Sequence, residues 1–320
     1  MWRQIIAIGV AVAALGRGAA GRPADRFDTR TVDFAVAFHG ETSAYRDVSA
    51  FVLPRESMTI EAVGGPPGDY SSKTEDGQLV PLGPRKWKWT APATSKAATL
   101  HVDGPAANDT ITLHMFVMVP AAAISNGVLN GYRIGQYPAR PLNGDPMYLP
   151  PKGFVEVTKD NQDIKVSPHF TLKQFLCKED TTKQFPKYVV LRERLPLKLE
   201  AILERVNDLG FHVDTLHVMS AFRTPYYNHA IGDVLYSQHQ GGSAADVFID
   251  GANAGRMDDL TGDHRVDIDD SRYLYEQVEH LTNEPATRKF EGGLGFYRGT
   301  SAHPPFVHVD VRGTKARWRG

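Results

Sequence analysis

The sequence predicts a two-part chain in which an all-β module precedes an α+β domain. Short apolar segments separated by turn residues fill roughly the first third of the chain, a pattern typical of strands. Apolar residues at spacings of three and four begin near residue 195 and predict a helix, and further strand patterns follow it. A length of 320 residues suits two domains, because one domain commonly has about 150 residues. We predict a β module at 27–122, a Pro- and Gly-rich connector with some β content at 123–168 and a second domain at 169–320.

The β module is predicted from alternating and extended apolar segments. Residues 31–38 and 110–119 are extended apolar runs, and Trp87-Lys88-Trp89 alternates aromatic with basic side chains, as in a half-buried strand. Residues 87–92 resemble the core strand of bacterial immunoglobulin-like modules. This resemblance implies an immunoglobulin-like sandwich.

Composition excludes several classes of function. The chain has 36 Lys and Arg against 37 Asp and Glu, for a net charge of −1, so no basic field favours nucleic acid as a partner. Its single cysteine, Cys177, excludes an intrachain disulfide and any zinc or iron–sulfur site with several cysteine ligands.

The N-terminus is typical of a secretory signal peptide at residues 1–24. A basic tip at Arg3 precedes an apolar stretch, residues 5–15, and then small residues at 18–21. The apolar stretch is too short to span a bilayer, although an uncleaved anchor is the alternative. We therefore expect a secreted, periplasmic protein with no stable membrane span after signal cleavage.

The second domain is predicted from one helix and three strands. Residues 196–210 have a helical pattern that ends at Gly210, with apolar positions at Leu195, Leu199, Ile202, Val206 and Leu209. Strands are predicted at 213–219, 244–249 and 306–311. We expect Trp318, near the C-terminus, to pack in the core.

Two segments carry residues typical of a metal site. His239 and Asp246 are seven residues apart, and the Gly241-Gly242 turn between them can bring both side chains to one point. His308 and Asp310 share one face of the third predicted strand, because side chains alternate along a strand. Two imidazoles and a carboxylate leave one position open on a tetrahedral zinc.

These residues resemble a known family. The segment Ser237-x-His239-x-x-Gly242-x-Ala244-x-Asp246, the late His308 and the preceding Ser220-Ala-Phe-Arg223-Thr-Pro-x-x-Asn228 resemble the zinc D-alanyl-D-alanine carboxypeptidases. That superfamily includes vancomycin-resistance dipeptidases, phage endolysins and the hedgehog signalling domain. The resemblance covers about residues 168–320 and implies a hedgehog/DD-peptidase-like α+β metallopeptidase fold.

The resemblance also implies roles for single residues. His239, Asp246 and His308 would be the zinc ligands, and Arg223 would polarise the scissile carbonyl group. Arg223 has an alternative role in a structural salt bridge. Ser237 and Asn228 would contact the substrate, although Asn228 has an alternative role as a cap of the turn.

The expected activity is hydrolysis of amide bonds in peptidoglycan peptides, with the cleaved bond and the oligomeric state left open. This sequence departs from the family pattern at one position that matters for hydrolysis. Many relatives carry a glutamate as general base where this chain has Pro305. Asp310 and His303 are the substitutes that the sequence offers. Asp310 has the alternative role of orienting a ligand imidazole, and His303 that of an exposed loop residue. If neither acts as base, we expect a catalytically weak or inactive zinc-containing protein that binds the cell wall or serves as a scaffold there.

A second metal site is predicted between these segments. Residues 259–270 resemble a dockerin-type calcium loop, in which oxygen atoms recur at fixed positions around a hard cation. His264 replaces the glycine usual at the sixth position. The alternative is an acidic surface loop that caps the following helix. The calcium ligands would be Asp259, Thr261, Asp263 and Asp270, with the carbonyl group of Arg265.

Overall fold

The computed structural model describes residues 27–179 and 184–320, so the signal peptide predicted at 1–24 lies outside the described residues. Across those two ranges, no helix has the length and apolar character needed to cross a membrane.

The N-terminal region consists of two β-sheets. One has the strand order β2-β1-β4-β7-β6, and the other has the order β3-β9-β8-β5, in which β3 and β9 are parallel. The strands are β1 Thr31–Phe38, β2 Glu41–Tyr45, β3 Asp47–Val52, β4 Ser57–Val63, β5 Ser71–Thr74, β6 Gln78–Gly83, β7 Lys86–Thr90, β8 Lys96–Asp103 and β9 Thr110–Val117.

Alternating side chains from both sheets form the core of this region. Trp87 and Trp89 of β7 are buried, whereas Lys86 before them and Lys88 between them are exposed, which is the alternation that the sequence predicts. Phe34 of β1 makes an edge-on contact with the ring of Tyr70, with ring centroids 5.2 Å apart. The region is sheet-rich, as predicted, and its likeness to an immunoglobulin-like sandwich stays a prediction.

A small sheet joins the two halves of the chain. Strand β13 of the predicted connector pairs with β10 on one side and with β16 on the other, so the connector is built into the fold at this point. The segment contains β10 Val119–Pro120, β11 Val128–Leu129, β12 Tyr132–Arg133, β13 Gly153–Val157, β14 Lys165–Ser167, β15 Phe170–Thr171 and β16 Lys187–Val189. Short 3₁₀ helices lie at Ala121–Ala123, Leu142–Gly144, Pro146–Tyr148 and Leu172–Phe175.

The C-terminal region is a sheet in the order β17-β18-β20-β19-β21, with helix α3 packed on it and α1 packed on α3. Its elements are α1 Arg194–Asp208, β17 His217–Ser220, α2 Pro225–Ala230, β18 Ala244–Phe248, α3 Ile268–Asn283, β19 Gly293–Tyr297, β20 Phe306–Asp310 and β21 Ala316–Arg319. Two further 3₁₀ helices lie at Gln238–Gly241 and Arg288–Phe290. The mixed character agrees with the predicted α+β domain.

The predicted helix and two of the three predicted strands lie close to the observed ones, whereas β17 begins only at His217, four residues after the start of the segment predicted at 213–219. Helix α1 buries Leu195, Leu199, Ile202 and Val206, the face that the spacing indicates. Leu209 follows the helix as its C-cap and is 38% exposed, so it is outside that buried face. Strands β18 and β20 fall within the segments predicted at 244–249 and 306–311.

Candidate metal centre

The centre of the C-terminal sheet brings three predicted metal ligands together. Asp246 in β18 and His308 in β20 are direct partners in an antiparallel pair. His239 lies in the 3₁₀ turn that precedes β18, and Gly242 ends this turn at φ 65°, a conformation that favours glycine. A Cβ atom at Gly242 would lie only 2.3 Å from the carbonyl oxygen of Val190, so the chain also approaches too closely there for a side chain.

The potential ligand atoms of these three residues all lie within 4.8 Å of one another. His308 Nδ1 is 3.2 Å from His239 Nε2 and 3.0 Å from Asp246 Oδ1. Asp246 Oδ1 is 3.3 Å from His239 Nε2. The three residues are buried, with exposed fractions of 2% for His239, 2% for Asp246 and 7% for His308.

Each of the three side chains is held by a partner on the side away from the cluster. His239 Nδ1 is 2.6 Å from the carbonyl oxygen of Ala221, to which it donates. His308 Nε2 is 3.2 Å from Asp310 Oδ2. Asp246 Oδ2 forms an ion pair with the guanidinium group of Arg223. These partners leave Nε2 of His239, Nδ1 of His308 and Oδ1 of Asp246 directed at one point.

The protonation states suit metal ligands. Burial lowers the pKa of His239, which keeps its imidazole neutral at pH 7. Burial raises the pKa of Asp246, but the contacts with His239 and His308 outweigh it and hold that pKa well below its usual range. Burial would lower the pKa of His308, but the hydrogen bonds to Asp246 and Asp310 raise it. A bound cation would therefore displace a proton from His308.

Nitrogen and oxygen donors in this combination fit zinc, which binds two imidazoles and a carboxylate in many proteins. Among the residues described, this is the cluster of histidine, cysteine and carboxylate side chains that can hold a metal ion. The predicted trio therefore converges in the way that the sequence prediction requires.

The cluster lies in the wall of a surface cavity of about 600 Å³. Tyr297 and Trp318 form part of its aromatic wall, and Trp318 Nε1 donates to the hydroxyl group of Tyr297 over 2.6 Å. The connector contributes Leu142 and Tyr148 to the lining. The other lining residues are Arg223, Asp233, Val234, Leu235, Tyr236, Ser237, Gln238, His239, Asp246, Phe306, His308 and Arg312.

Arg223 lines this cavity but is already paired. Its Nη1 donates to Asp233 Oδ2 over 2.8 Å and its Nε to Ser220 Oγ over 2.9 Å, in addition to the ion pair with Asp246. The guanidinium group is thus fixed beside the metal cluster, and the salt-bridge alternative describes its contacts. A role toward a substrate carbonyl stays a prediction.

The two predicted substrate-binding residues occupy different places. Ser237 lines the cavity at the start of the turn that carries His239. Asn228 is buried, and its side-chain amide donates to the carbonyl oxygen of Val234 over 2.9 Å. It therefore braces the loop that carries Asp233, which agrees with the turn-capping alternative more closely than with substrate contact.

The two predicted general bases do not face the ligand atoms. Asp310 is fully buried behind His308, and it accepts hydrogen bonds from the backbone N–H of Gly293 over 2.7 Å and from Arg312 Nε over 2.9 Å. These contacts favour the alternative in which Asp310 orients the His308 ring. His303 lines another cavity and packs edge-on against Phe306, with ring centroids 5.1 Å apart.

Some residues of the site were not predicted. Trp318, expected in the core, is only partly buried and packs against the His308 ring, with ring centroids 5.0 Å apart. A Cβ atom at Gly295 would lie 2.3 Å from Trp318 Nε1, and one at Gly293 would lie 2.2 Å from Asp310 Oδ2. The Gly-x-Gly pattern at 293–295 was therefore the sequence signal for a crowded face next to His308.

The loop predicted to bind calcium is held by its own hydrogen bonds. Asp259 accepts from the backbone N–H groups of Gly262 and His264, each over 2.7 Å. Asp270 accepts from Leu260 N over 2.8 Å and, with Asp267, closes a capping box at the start of α3. These contacts agree with the helix-capping alternative, and nothing in the structure supports calcium there. Of the remaining predicted ligands, Thr261 contributes its hydroxyl group to the same network, and Asp263 accepts from the backbone N–H of Arg265 over 2.9 Å.

Part of the C-terminal region matches a known family. Residues 168–282 match the family described as Peptidase M15, the zinc D-Ala-D-Ala carboxypeptidase-like peptidases, as the sequence predicts. Arg223, His239 and Asp246 lie inside the matched range, whereas His308 and Asp310 lie beyond it. No curated protein matches the chain. The family supports a zinc-dependent metallopeptidase that acts on peptidoglycan in general terms.

Proposed function

We propose that this protein, in which residues 168–282 match the M15 peptidase family, hydrolyses amide bonds in peptidoglycan stem peptides or cross-links with zinc as its cofactor. The activity would be of the D-alanyl-D-alanine carboxypeptidase or endopeptidase type. The observation that carries the proposal is the convergence of His239, Asp246 and His308 in the wall of an open cavity. A buried cluster without such a cavity would hold a metal but would admit no substrate.

His239, Asp246 and His308 would hold the zinc. When bound, zinc supplies Lewis-acid activation of water and of a carbonyl oxygen near neutral pH. The carbonyl group of Ala221 and the carboxylate of Asp310 fix the two rings, so little reorganisation is needed when a substrate arrives.

Arg223 would supply positive charge on one side of the cavity. Its side chain is 13% exposed, and two carboxylates, Asp233 and Asp246, fix the position of the guanidinium group. A fixed cation in a partly desolvated wall stabilises negative charge that develops on a carbonyl oxygen. Ser237, at the rim of the same cavity, would contact the peptide backbone.

Tyr148 and Tyr236 make an edge-on pair at the cavity wall, with ring centroids 5.9 Å apart. Together with Tyr297 and Trp318 they would restrict water and hold the peptide against the metal cluster. The connector and the C-terminal strand would therefore both contribute to substrate binding.

The protein would act outside the cytoplasm, and the predicted signal peptide at 1–24 is the reason. Peptidoglycan peptides would be its partners, with no role for nucleic acid. The N-terminal sheets would place the peptidase on the wall or on a partner protein.

Digestion of purified muropeptides followed by mass spectrometry tests the proposal. The wild-type protein with zinc should release products that differ from the substrate by one hydrolysed amide bond. His239→Ala should release none, because one of the zinc ligands is missing. His280→Ala is the matched control, since this histidine is exposed on α3. Equal digestion by His239→Ala and the wild-type protein would contradict the proposal.

A second candidate is a zinc-containing wall-binding protein without hydrolytic activity. The positions of Pro305, Asp310 and His303 favour it, because none of them offers a base to the metal cluster. This candidate predicts one zinc per chain, binding to wall fragments and no cleavage of muropeptides that an active relative cleaves. Cleavage abolished by His239→Ala would exclude it.

A further inference from the structure

A second cavity, of about 810 Å³, lies beside the metal site. Tyr297 and Phe306 form the ridge between the two cavities, with their rings stacked and ring centroids 4.5 Å apart. Both residues line the metal-site cavity, while their sequence neighbours Arg298 and Pro305 line the second one. The two cavities are therefore adjacent along the ends of β19 and β20.

Three arginines from separate segments line this second cavity. Arg256 follows β18, Arg298 follows β19 and Arg319 is in β21. All three residues are exposed, and within 27–179 and 184–320 none of their side chains has a hydrogen bond or an ion pair. The guanidinium group of Arg319 lies over the Phe296 ring, 5.9 Å from its centroid, which anchors one of the three charges.

Among the described residues, the carboxylate that lines this cavity forms no ion pair with the three arginines. Asp267 lines the cavity, but its side chain accepts from the backbone N–H of Asp269 over 2.8 Å and caps helix α3. His303 also lines this cavity. Like charges gathered at one cavity repel one another unless an anion lies among them. Guanidinium groups bind carboxylates through paired N–H donors.

We propose that Arg256, Arg298 and Arg319, which we call the arginine pocket, bind a free carboxylate of the peptide whose amide bond lies at the metal cluster. The inference rests on the proposed function, because it takes the substrate to be a peptide. A peptide that crosses the Tyr297–Phe306 ridge would place its cleaved amide bond in the metal-site cavity and its free carboxylate in the arginine pocket. The pocket would then select peptides with an acidic group near the cleaved bond.

The test compares two sets of muropeptides, one with its free carboxyl groups intact and one in which they are converted to carboxamides. Wild-type protein should prefer the carboxylate set, with a KM lower on the order of ten-fold, which corresponds to about 1.4 kcal/mol. Arg298→Gln and Arg319→Gln should each lose this preference through KM. Arg288→Gln should keep the preference for carboxylates. This substitution removes the same charge, but the exposed Arg288 lies outside the pocket.

A binding measurement separates the pocket from hydrolysis. Isothermal titration of the His239→Ala protein with the two muropeptide sets should show the same preference, again lost in the variants at Arg298 and Arg319. Binding with this preference but without cleavage by the wild-type protein would uphold the pocket and overturn the peptidase. Cleavage with equal KM for both sets would overturn the pocket and leave the peptidase. Tight binding of inorganic phosphate without any carboxylate preference would also overturn the proposal.

Discussion

At the scale of single residues, the candidate site depends on the groups behind the three residues that could hold a metal ion. Asp310 accepts hydrogen bonds from His308, from the backbone of Gly293 and from Arg312, and it is fully buried. A carboxylate committed to these donors holds a ring in place and has no free lone pair directed at the cavity. Asp310 is therefore a positioning residue in this structure.

Asp310→Asn should lower zinc affinity by about 10- to 100-fold, because the variant weakens the partner that orients the His308 ring. Hydrolysis should return when zinc is saturating. Titration with a competing chelator gives the affinity, and muropeptide kinetics at high zinc give the activity. Asp208→Asn, at an exposed position on α1, should change neither. Unchanged zinc affinity with activity lost at saturating zinc would instead identify Asp310 as the base.

At the scale of the elements, α1 supports the sheet through a buried lysine. Lys198 is 1% exposed and its Nζ donates to the carbonyl oxygen of Asp310 over 2.8 Å. Burial lowers the pKa of Lys198 to about 8. In the unfolded chain this lysine keeps its proton to a much higher pH. Between these two pKa values the unfolded state binds more protons, so the free energy of unfolding rises with pH there.

Lys198→Met should remove that dependence. Between pH 8 and about 10.5 the unfolding free energy of the wild type should increase by about 3 kcal/mol relative to the variant. Denaturant unfolding of both proteins across this range measures the difference. Lys159→Met, at an exposed position, is the control. A constant difference between wild type and Lys198→Met would show that Lys198 titrates in the folded protein as it does in the unfolded chain.

The loop before α3 is the element for which two interpretations make opposite predictions. If it binds calcium, addition of calcium to the chelator-treated protein should raise the Tm, since a ligand of the folded state stabilises it by mass action. Asp263→Ala should abolish this rise, because the predicted set of ligands loses a carboxylate. If the loop only caps the helix through Asp267 and Asp270, calcium should leave the Tm unchanged.

Local patterns predicted the elements that carry the site. The spacing of Leu195, Leu199 and Ile202 indicates α1, and the alternation in 306–311 puts His308 and Asp310 on one face. The motif around His239 and Asp246 predicted two of the three residues of the cluster, because their spacing is a short-range property, whereas the resemblance to the family implied His308 as the third.

The residues that surround the cluster could not be predicted from local sequence patterns. Trp318 reaches His308 because β21 pairs with β19 in parallel, a contact that depends on the whole sheet. The arginine pocket likewise joins three segments that have no common spacing in the sequence. The spacing of residues in the sequence does not indicate which of these distant segments come into contact.

At the scale of the whole molecule, charged and polar contacts join the N-terminal sheets to α1. Glu41 is buried and accepts from Arg194 Nε over 2.8 Å. Tyr45 donates its hydroxyl hydrogen to Glu204 over 2.8 Å. His39 Nδ1 lies 3.0 Å from Glu193 Oε1, just before α1 begins. Since α1 also carries Lys198, the N-terminal sheets are connected to the site through this helix.

The hydrogen bond to Glu193 raises the pKa of His39. Its charged form is therefore favoured by folding, so this contribution to stability is complete below the unfolded pKa near 6.5 and is lost as the pH rises through the higher folded value. His39→Gln should cost at most about 1 kcal/mol at pH 6, because the pair is partly exposed, and less at pH 8. Thermal unfolding at the two pH values measures this. A larger cost at pH 8 would contradict the assignment.

The most direct measurement is anomalous X-ray diffraction at the zinc edge from crystals grown with zinc. We expect one strong peak within about 2.0–2.2 Å of His239 Nε2, Asp246 Oδ1 and His308 Nδ1, and no peak there in His239→Ala. Zinc bound only elsewhere, or coordinated by His308 through Nε2 with Asp310 displaced, would contradict the metal centre described above.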